Sequence, residues 1–140
     1  MRRAIELARQ AALAGEVPVG AVVTRGTTVI AEGHNLPRAL ADPTAHAEIL
    51  ALRRAGEKLS NERLDGCDLW VTLEPCAMCA GAISHARIRR LYFAAPDPKG
   101  GAVHHGPHLY DFLSHRPDVY SGIGEEEAAR LLRAFFAERR

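Results

Sequence analysis

The chain has 140 residues, a length at which one hydrophobic core suffices, so one domain over residues 1–140 is expected. Hydrophobic residues at 47% and charged residues at 25% exclude a disordered or fibrous class, and a net charge of +1 offers no global attraction to a polyanion, although local basic patches remain open. No window approaches the roughly 20 apolar residues of a membrane span, and Glu6, Arg9 and Gln10 interrupt the segment where a signal peptide needs an apolar stretch, so a cytoplasmic protein with no membrane partner is expected.

Residues Arg2 to Ala14 predict a helix, because Ile5, Leu7, Ala8, Ala11 and Ala12 form an apolar stripe and Gly15 is a natural stop. Val19 to Val23 is continuously apolar, and Arg25-Gly26-Thr27 supplies turn chemistry before Thr28 to Ala31, which together predict a hairpin whose first strand is buried on both faces. Gly33 to Pro43 reads as a loop, long enough to suggest function. Either Asp42 or Thr44 then caps a helix that ends at Gly56, with His46 in about its first turn. Asp68 to Thr72 reads as a third strand, Pro75 to about His85 as a helix, and Arg90 to Ala95 as a fourth strand, a β-α-β unit that implies parallel pairing. Pro96 to Pro107 is loop. A short helix near Leu109 to Ser114, an edge strand at Asp118 to Ser121 and a helix from Glu125 to about Arg139 complete an α/β fold, a three-layer α/β/α sandwich around a mixed, mostly parallel five-stranded sheet.

Three cysteines, two of them only three residues apart, argue against a disulfide framework. Cys67 reads as a buried thiol. Cys76 and Cys79 share one face of a helix opened by Pro75, where unpaired N–H groups and the positive end of the dipole favour thiolate. A C-x-x-C pair alone fits a redox couple as well as a metal site. A structural Cys₄ site would need a second pair, which the chain lacks.

His46 supplies a third ligand, and a Cys₂His set leaves zinc's fourth position open, as catalytic sites do. Glu48 then reads as a non-ligand general acid/base acting on the activated water. Residues two apart on an ideal helix point to opposite sides, so the metal must sit near the helix terminus for both to reach it. His46-x-Glu48 followed by Pro75-Cys76-x-x-Cys79 is the pattern of zinc deaminases, which act on bases taken out of the stack.

On these residues, with Glu16-Val17-Pro18-Val19-Gly20-Ala21-Val22, Gly33-x-Asn35-x-Pro37, Asp42-Pro43-Thr44-Ala45 and Val71-Thr72-Leu73-Glu74, the chain resembles the bacterial tRNA-specific adenosine deaminases nearly end to end. The resemblance implies a cytidine deaminase-like fold, one Zn²⁺ per chain, and conversion of the wobble adenosine of tRNA to inosine. It further implies that Asn35 hydrogen-bonds the flipped base, Val17 and Ala45 line its pocket, and Asp97 and Lys99 touch the RNA. Phe136, Arg139 and Arg140 would grip the anticodon stem-loop, and the enzyme would be a homodimer. The chain departs from that pattern at Gly100 to His108, where related chains carry a Lys-Thr-Gly-Ala-Ala-Gly-Ser-Leu type of loop, and at His34, a position often aromatic. His104, His105, His108 and His115 read as solvated loop histidines rather than a second metal site. The alternatives are a deaminase of a free base or nucleoside (guanine, cytosine or cytidine), and a non-catalytic RNA-binding or redox module.

Overall fold

The computed structural model describes residues 1–139; Arg140, expected to touch RNA, lies outside the described residues. The first helix, α1 (Arg2–Leu13), buries Ala4, Ile5, Leu7, Ala8 and Ala11, the spacing of one helical face. It stops at Ala14, after which Gly15 takes a left-handed conformation (φ 79°) and the Glu16 N–H returns to the Ala11 carbonyl at 2.9 Å. Strands β1 (Gly20–Arg25) and β2 (Thr28–His34) form the hairpin, turned at Gly26 (φ 60°). Helix α2 (Ala47–Leu59), β3 (Asp68–Leu73), α3 (Ala77–His85) and β4 (Arg90–Ala95) follow. A 3₁₀ turn (Leu109–Asp111), β5 (Asp118–Ser121) and α4 (Glu125–Ala137) complete the chain.

The sheet order is β2-β1-β3-β4-β5. The pairings of β1 with β2 and with β3 are antiparallel, while β3 with β4 and β4 with β5 are parallel. Hence β1 alone opposes four strands that run the same way, and the sheet is mixed and mostly parallel. Helices α1 and α4 pack together over one face, and α2 and α3 over the other, giving three layers. This explains why the first four residues of β1 are buried. Val23, Leu69, Val71, Ile83, Leu91 and Phe93 form the centre of the core, each almost wholly removed from water and each worth about 1.5–3 kcal/mol in transfer free energy.

Two glycines let helices approach the sheet closely. A Cβ on Gly20 would collide with the backbone of α1 at Ala4, and one on Gly33 would sit 2.7 Å from the Ala47 carbonyl oxygen at the start of α2. The second contact matters because the first turn of α2 carries His46 and Glu48.

Several helix limits differ from the sequence reading. Neither Asp42 nor Thr44 caps α2. Asp42 closes a turn of its own, its Oδ1 accepting the Thr44 N–H (2.9 Å) and hydroxyl (2.7 Å), and the residue in the N-cap position is His46, with extended backbone (φ −71°, ψ 153°). Helix α2 also runs through Gly56 to Leu59, because Leu59 still packs on the core, and ends at Ser60 in the left-handed region (φ 52°). Similarly, α3 starts at Ala77 with Cys76 as N-cap, leaving Pro75 outside, and the segment after Leu109 makes only a 3₁₀ turn.

Candidate metal centre and substrate cavity

Because β2 and β3 run in the same direction on either side of β1, the helices that follow them, α2 and α3, both start above the same end of the sheet. Their N-cap residues are His46 and Cys76, and neither makes a side-chain capping bond. Positions usually held by Ser, Thr, Asp or Asn thus carry a ring nitrogen and a sulfur. Cys79 lies in the first turn of α3, three residues beyond Cys76.

His46 Nδ1 lies 3.6 Å from Cys76 Sγ and 3.6 Å from Cys79 Sγ, and the three donor atoms all fall within 4.8 Å of one another. A tetrahedral zinc with Zn–S of about 2.3 Å and Zn–N of about 2.0–2.1 Å has an S···N edge of about 3.6 Å. The donor set therefore fits that ion in chemistry and in spacing. This is the group able to hold a metal ion among the described residues.

Electrostatics agree. A hydrogen bond from Cys79 and, after burial is overcome, one from His46 hold the Cys76 thiol down to about 4. The neighbouring Cys76 sulfur and burial push Cys79 up, while hydrogen bonding to Cys76 raises His46. A divalent ion held by these donors would favour both thiolates.

Glu48, the second residue of α2, is 4% exposed. Burial above all, with the negative charge on Cys76, pushes its carboxyl up to about 7, against the opposing pull of its own backbone N–H and of His46. The extended backbone at His46 removes the two-residue objection: His46 precedes the helix and Glu48 is inside it, so both approach the α2 terminus. The result is a carboxyl poised near neutrality beside an open three-ligand site, suited to carrying a proton.

Asn35 follows β2 and is buried, its Oδ1 accepting the Ala47 N–H at 2.8 Å. It caps the helix that His46 does not cap. Its Nδ2 takes part in none of the hydrogen bonds among the described residues, leaving two donors available. Val17, Asp97, Lys99, Phe136 and Arg139 line one cavity of about 660 Å³. A smaller one of about 200 Å³, bounded by Asn35 and Arg38, shares Val17 and Arg139 with it. Ala45 is not brought to either cavity; it is buried, and its carbonyl accepts the Leu36 N–H at 3.0 Å. The two phenylalanines divide: Phe135 is buried under the Arg139 guanidinium, 3.5 Å from its ring centroid, whereas Phe136 is 48% exposed.

Three buried carboxylates went unassigned in the sequence, of which Asp68 pairs with Arg89 and the other two bind backbone. Glu16 accepts the Arg38 N–H at 3.1 Å and the Ala39 N–H at 2.8 Å, fixing the loop after Asn35. Glu74 accepts backbone N–H groups of Asp97, Val103, His104 and His105. Burial would raise its carboxyl, but these bonds and the His105 ring hold it down to about 2. The available signal was a charged residue set within an apolar run, at Glu16-Val17-Pro18-Val19 and at Val71-Thr72-Leu73-Glu74.

The loop histidines are more engaged than solvated side chains would be. His105 donates from Nδ1 to Glu74 at 2.8 Å, His104 sets its ring edge-to-face with Phe93 at 5.1 Å, and His115 Nε2 donates to the Ile88 carbonyl at 2.9 Å. His108 is exposed in a left-handed conformation (φ 48°). None joins a metal-binding group among the described residues. Cys67 is fully buried, as expected.

Comparison with known proteins matches residues 1–140 to the family model described as MafB19-like deaminase. The chain is 55% identical over its whole length to a tRNA-specific adenosine deaminase of Agrobacterium fabrum, covering 93% of that protein. A solved structure from a study of A-to-I editing by tRNA:A34 deaminases superposes with a TM-score of 0.93 at 54% identity, over 94% of this chain and 97% of that one. The structure of a guanine deaminase from Nitrosomonas europaea superposes with a TM-score of 0.85 at 29% identity, over 97% and 82%. No described helix is long and apolar enough to cross a membrane. Joined to the His46, Cys76 and Cys79 cluster, these likenesses establish that the chain belongs to the MafB19-like deaminases and, within them, to the family of the tRNA-specific adenosine deaminases.

Proposed function

We propose that the protein catalyses hydrolytic deamination of adenosine to inosine at the wobble position of tRNA, releasing ammonia. The observation that carries this reading is the cluster of His46 Nδ1 and two sulfurs at 3.6 Å beside buried Glu48, in a chain 55% identical to a tRNA-specific adenosine deaminase. His46, Cys76 and Cys79 would hold one zinc ion per chain, which when bound supplies the Lewis acidity that makes water a nucleophile near neutral pH.

Glu48 is the general acid/base. Its carboxylate takes a proton from the attacking water and passes it to the purine ring nitrogen as C6 becomes tetrahedral; it then takes the C6 hydroxyl proton and gives it to the amine, so that ammonia leaves as the C6 carbonyl forms. A carboxyl held near neutrality can do both, since neither protonation state is strongly favoured. Burial limits proton exchange with bulk water. Asn35 offers its two free N–H donors to the flipped base, Val17 gives that base an apolar wall, and Ala45 supports the pocket from behind. Asp97, Lys99, Phe136 and Arg139 face the rest of the anticodon stem-loop across the larger cavity. An anticodon loop suits such a site because its bases are already partly unstacked. One domain spanning residues 1–140, acting as a homodimer in the cytoplasm, completes the reading.

The test is incubation of the zinc-loaded protein with an anticodon stem-loop carrying adenosine at the wobble position, followed by sequencing. Inosine at that position is expected. Turnover of free guanine or cytidine with an unchanged stem-loop would move the protein to a nucleobase or nucleoside deaminase, as the likeness to the guanine deaminase allows.

A further inference from the structure

We propose that Glu74, which takes no part in proton transfer, is a positioning residue that sets the RNA-facing wall of the substrate cavity. The inference rests on the tRNA reading above. Glu74 sits one residue before Pro75-Cys76, and its side chain is fully buried. Oε1 accepts the Asp97 N–H at 3.0 Å and the His105 Nδ1–H at 2.8 Å, while Oε2 accepts the N–H groups of Val103 (3.2 Å), His104 (2.9 Å) and His105 (2.9 Å). Five donors converge on one carboxylate, and four of them come from Gly100 to His108, where this chain differs from the usual family pattern.

The fastening continues on both sides. The Ala102 N–H donates to the Pro75 carbonyl at 3.0 Å, and the Gly101 N–H donates to the Asp97 carbonyl at 2.9 Å. A Cβ on Gly101 would lie 2.5 Å from Glu74 Cδ and 2.6 Å from the Asp97 oxygen, so the junction has no spare space. Asp97, held through its N–H by Glu74, uses Oδ1 to accept the N–H groups of Lys99 (3.2 Å) and Gly100 (3.0 Å). A chain of bonds therefore runs from the turn that bears Cys76, through Glu74 and the Asp97 backbone, to Lys99 at the cavity. Only a carboxylate can serve all five donors. A carboxamide that keeps its oxygen toward Val103, His104 and His105 would turn its NH₂ toward the Asp97 N–H and leave that donor unpaired.

Glu74 thus governs how tightly a polynucleotide is held, and it leaves the chemical step to the metal cluster and Glu48. The test compares zinc-loaded wild type with Glu74→Gln, Gly101→Ala, which crowds the same junction from the loop side, and His105→Ala, which removes the ring bond. Zinc content, KM and kcat on the anticodon stem-loop, and the slope of log KM against log salt are measured. Full zinc occupancy is expected throughout, with kcat within about threefold of wild type. KM should rise about tenfold in Glu74→Gln and Gly101→Ala and about threefold in His105→Ala. The salt slope should flatten by about one as Lys99 loses a phosphate.

Unchanged KM and salt slope in zinc-loaded Glu74→Gln and Gly101→Ala would overturn the proposal. So would zinc loss, or a fall in kcat alone, since either assigns Glu74 to the metal turn. If wild type leaves the stem-loop untouched, the functional reading fails separately. Hydrogen exchange of residues 97–105 then decides the positioning role: faster exchange in Glu74→Gln supports it, and wild-type protection overturns it.

Discussion

At the residue scale, the proposed mechanism divides the chemistry between Glu48, which would carry the proton, and the three donors, which would hold the metal. Glu48→Gln keeps the shape and hydrogen-bonding reach of the side chain but removes the proton carrier. It should retain stoichiometric zinc while deamination falls by about 10²–10⁴-fold, read by metal analysis and ammonia release. Cys76→Ser should lose zinc and activity together. Under the proposed function Asn35 has two separable tasks: Oδ1 caps α2 through the Ala47 N–H, and Nδ2 would serve the substrate. Asn35→Asp preserves the acceptor and loses the donors. It should therefore keep its unfolding midpoint in denaturant within about 0.5 kcal/mol of wild type and lose at least about tenfold in kcat/KM. Asn35→Ala should lose both stability and turnover.

At the element scale, the metal cluster depends on how closely α2 approaches β2. Gly33 faces the Ala47 carbonyl, and a methyl group there would sit 2.7 Å from that oxygen. Gly33→Ala must push the first turn of α2 away from the sheet, carrying His46 and Glu48 with it. The expected result is a stability loss of about 1–3 kcal/mol from overpacking, with weaker zinc binding in a competition titration. Gly26→Ala, at the hairpin turn with open space around it, should leave zinc affinity unchanged and cost only backbone strain. The loop after Asn35 has a similar support in buried Glu16, which accepts two part-buried N–H bonds. Glu16→Ala should destabilise by about 2–3 kcal/mol in equilibrium denaturation, since both donors lose a charged acceptor.

At the scale of the whole molecule, the cluster joins two helices that are otherwise separated in sequence by 30 residues between His46 and Cys76. A metal ion held by the proposed ligands would tie α2 to α3 at the end of the sheet, and an unfolded chain has no such preformed site. Zinc should thus raise the thermal midpoint in a concentration-dependent way, and chelation should lower it. A scan over zinc concentrations checks this: a midpoint independent of zinc would mean that the ion is not linked to folding. The charge distribution points the same way as the cavity. Although the net charge is only +1, Lys99 and Arg139 line one cavity, so the RNA contact proposed above would rest on local rather than global charge.

The sequence by itself determined the layers, the four sheet-facing helices and the residues of the metal cluster, because hydrophobic periodicity and ligand spacing are local properties. The limits of α2 and α3 were not local. Asp42 or Thr44 as a cap and Pro75 as a first residue suggested earlier starts, yet packing of the helices on the sheet placed His46 and Cys76 themselves at the N-caps. Only tertiary structure could show that Oδ1 of Asn35 supplies the missing cap, or that Ala45 is buried and lines neither of the two cavities. The same holds for Glu16 and Glu74. In the sequence each is one carboxylate among many, and its importance comes from backbone N–H groups more than 20 residues away that converge on it once the chain is folded.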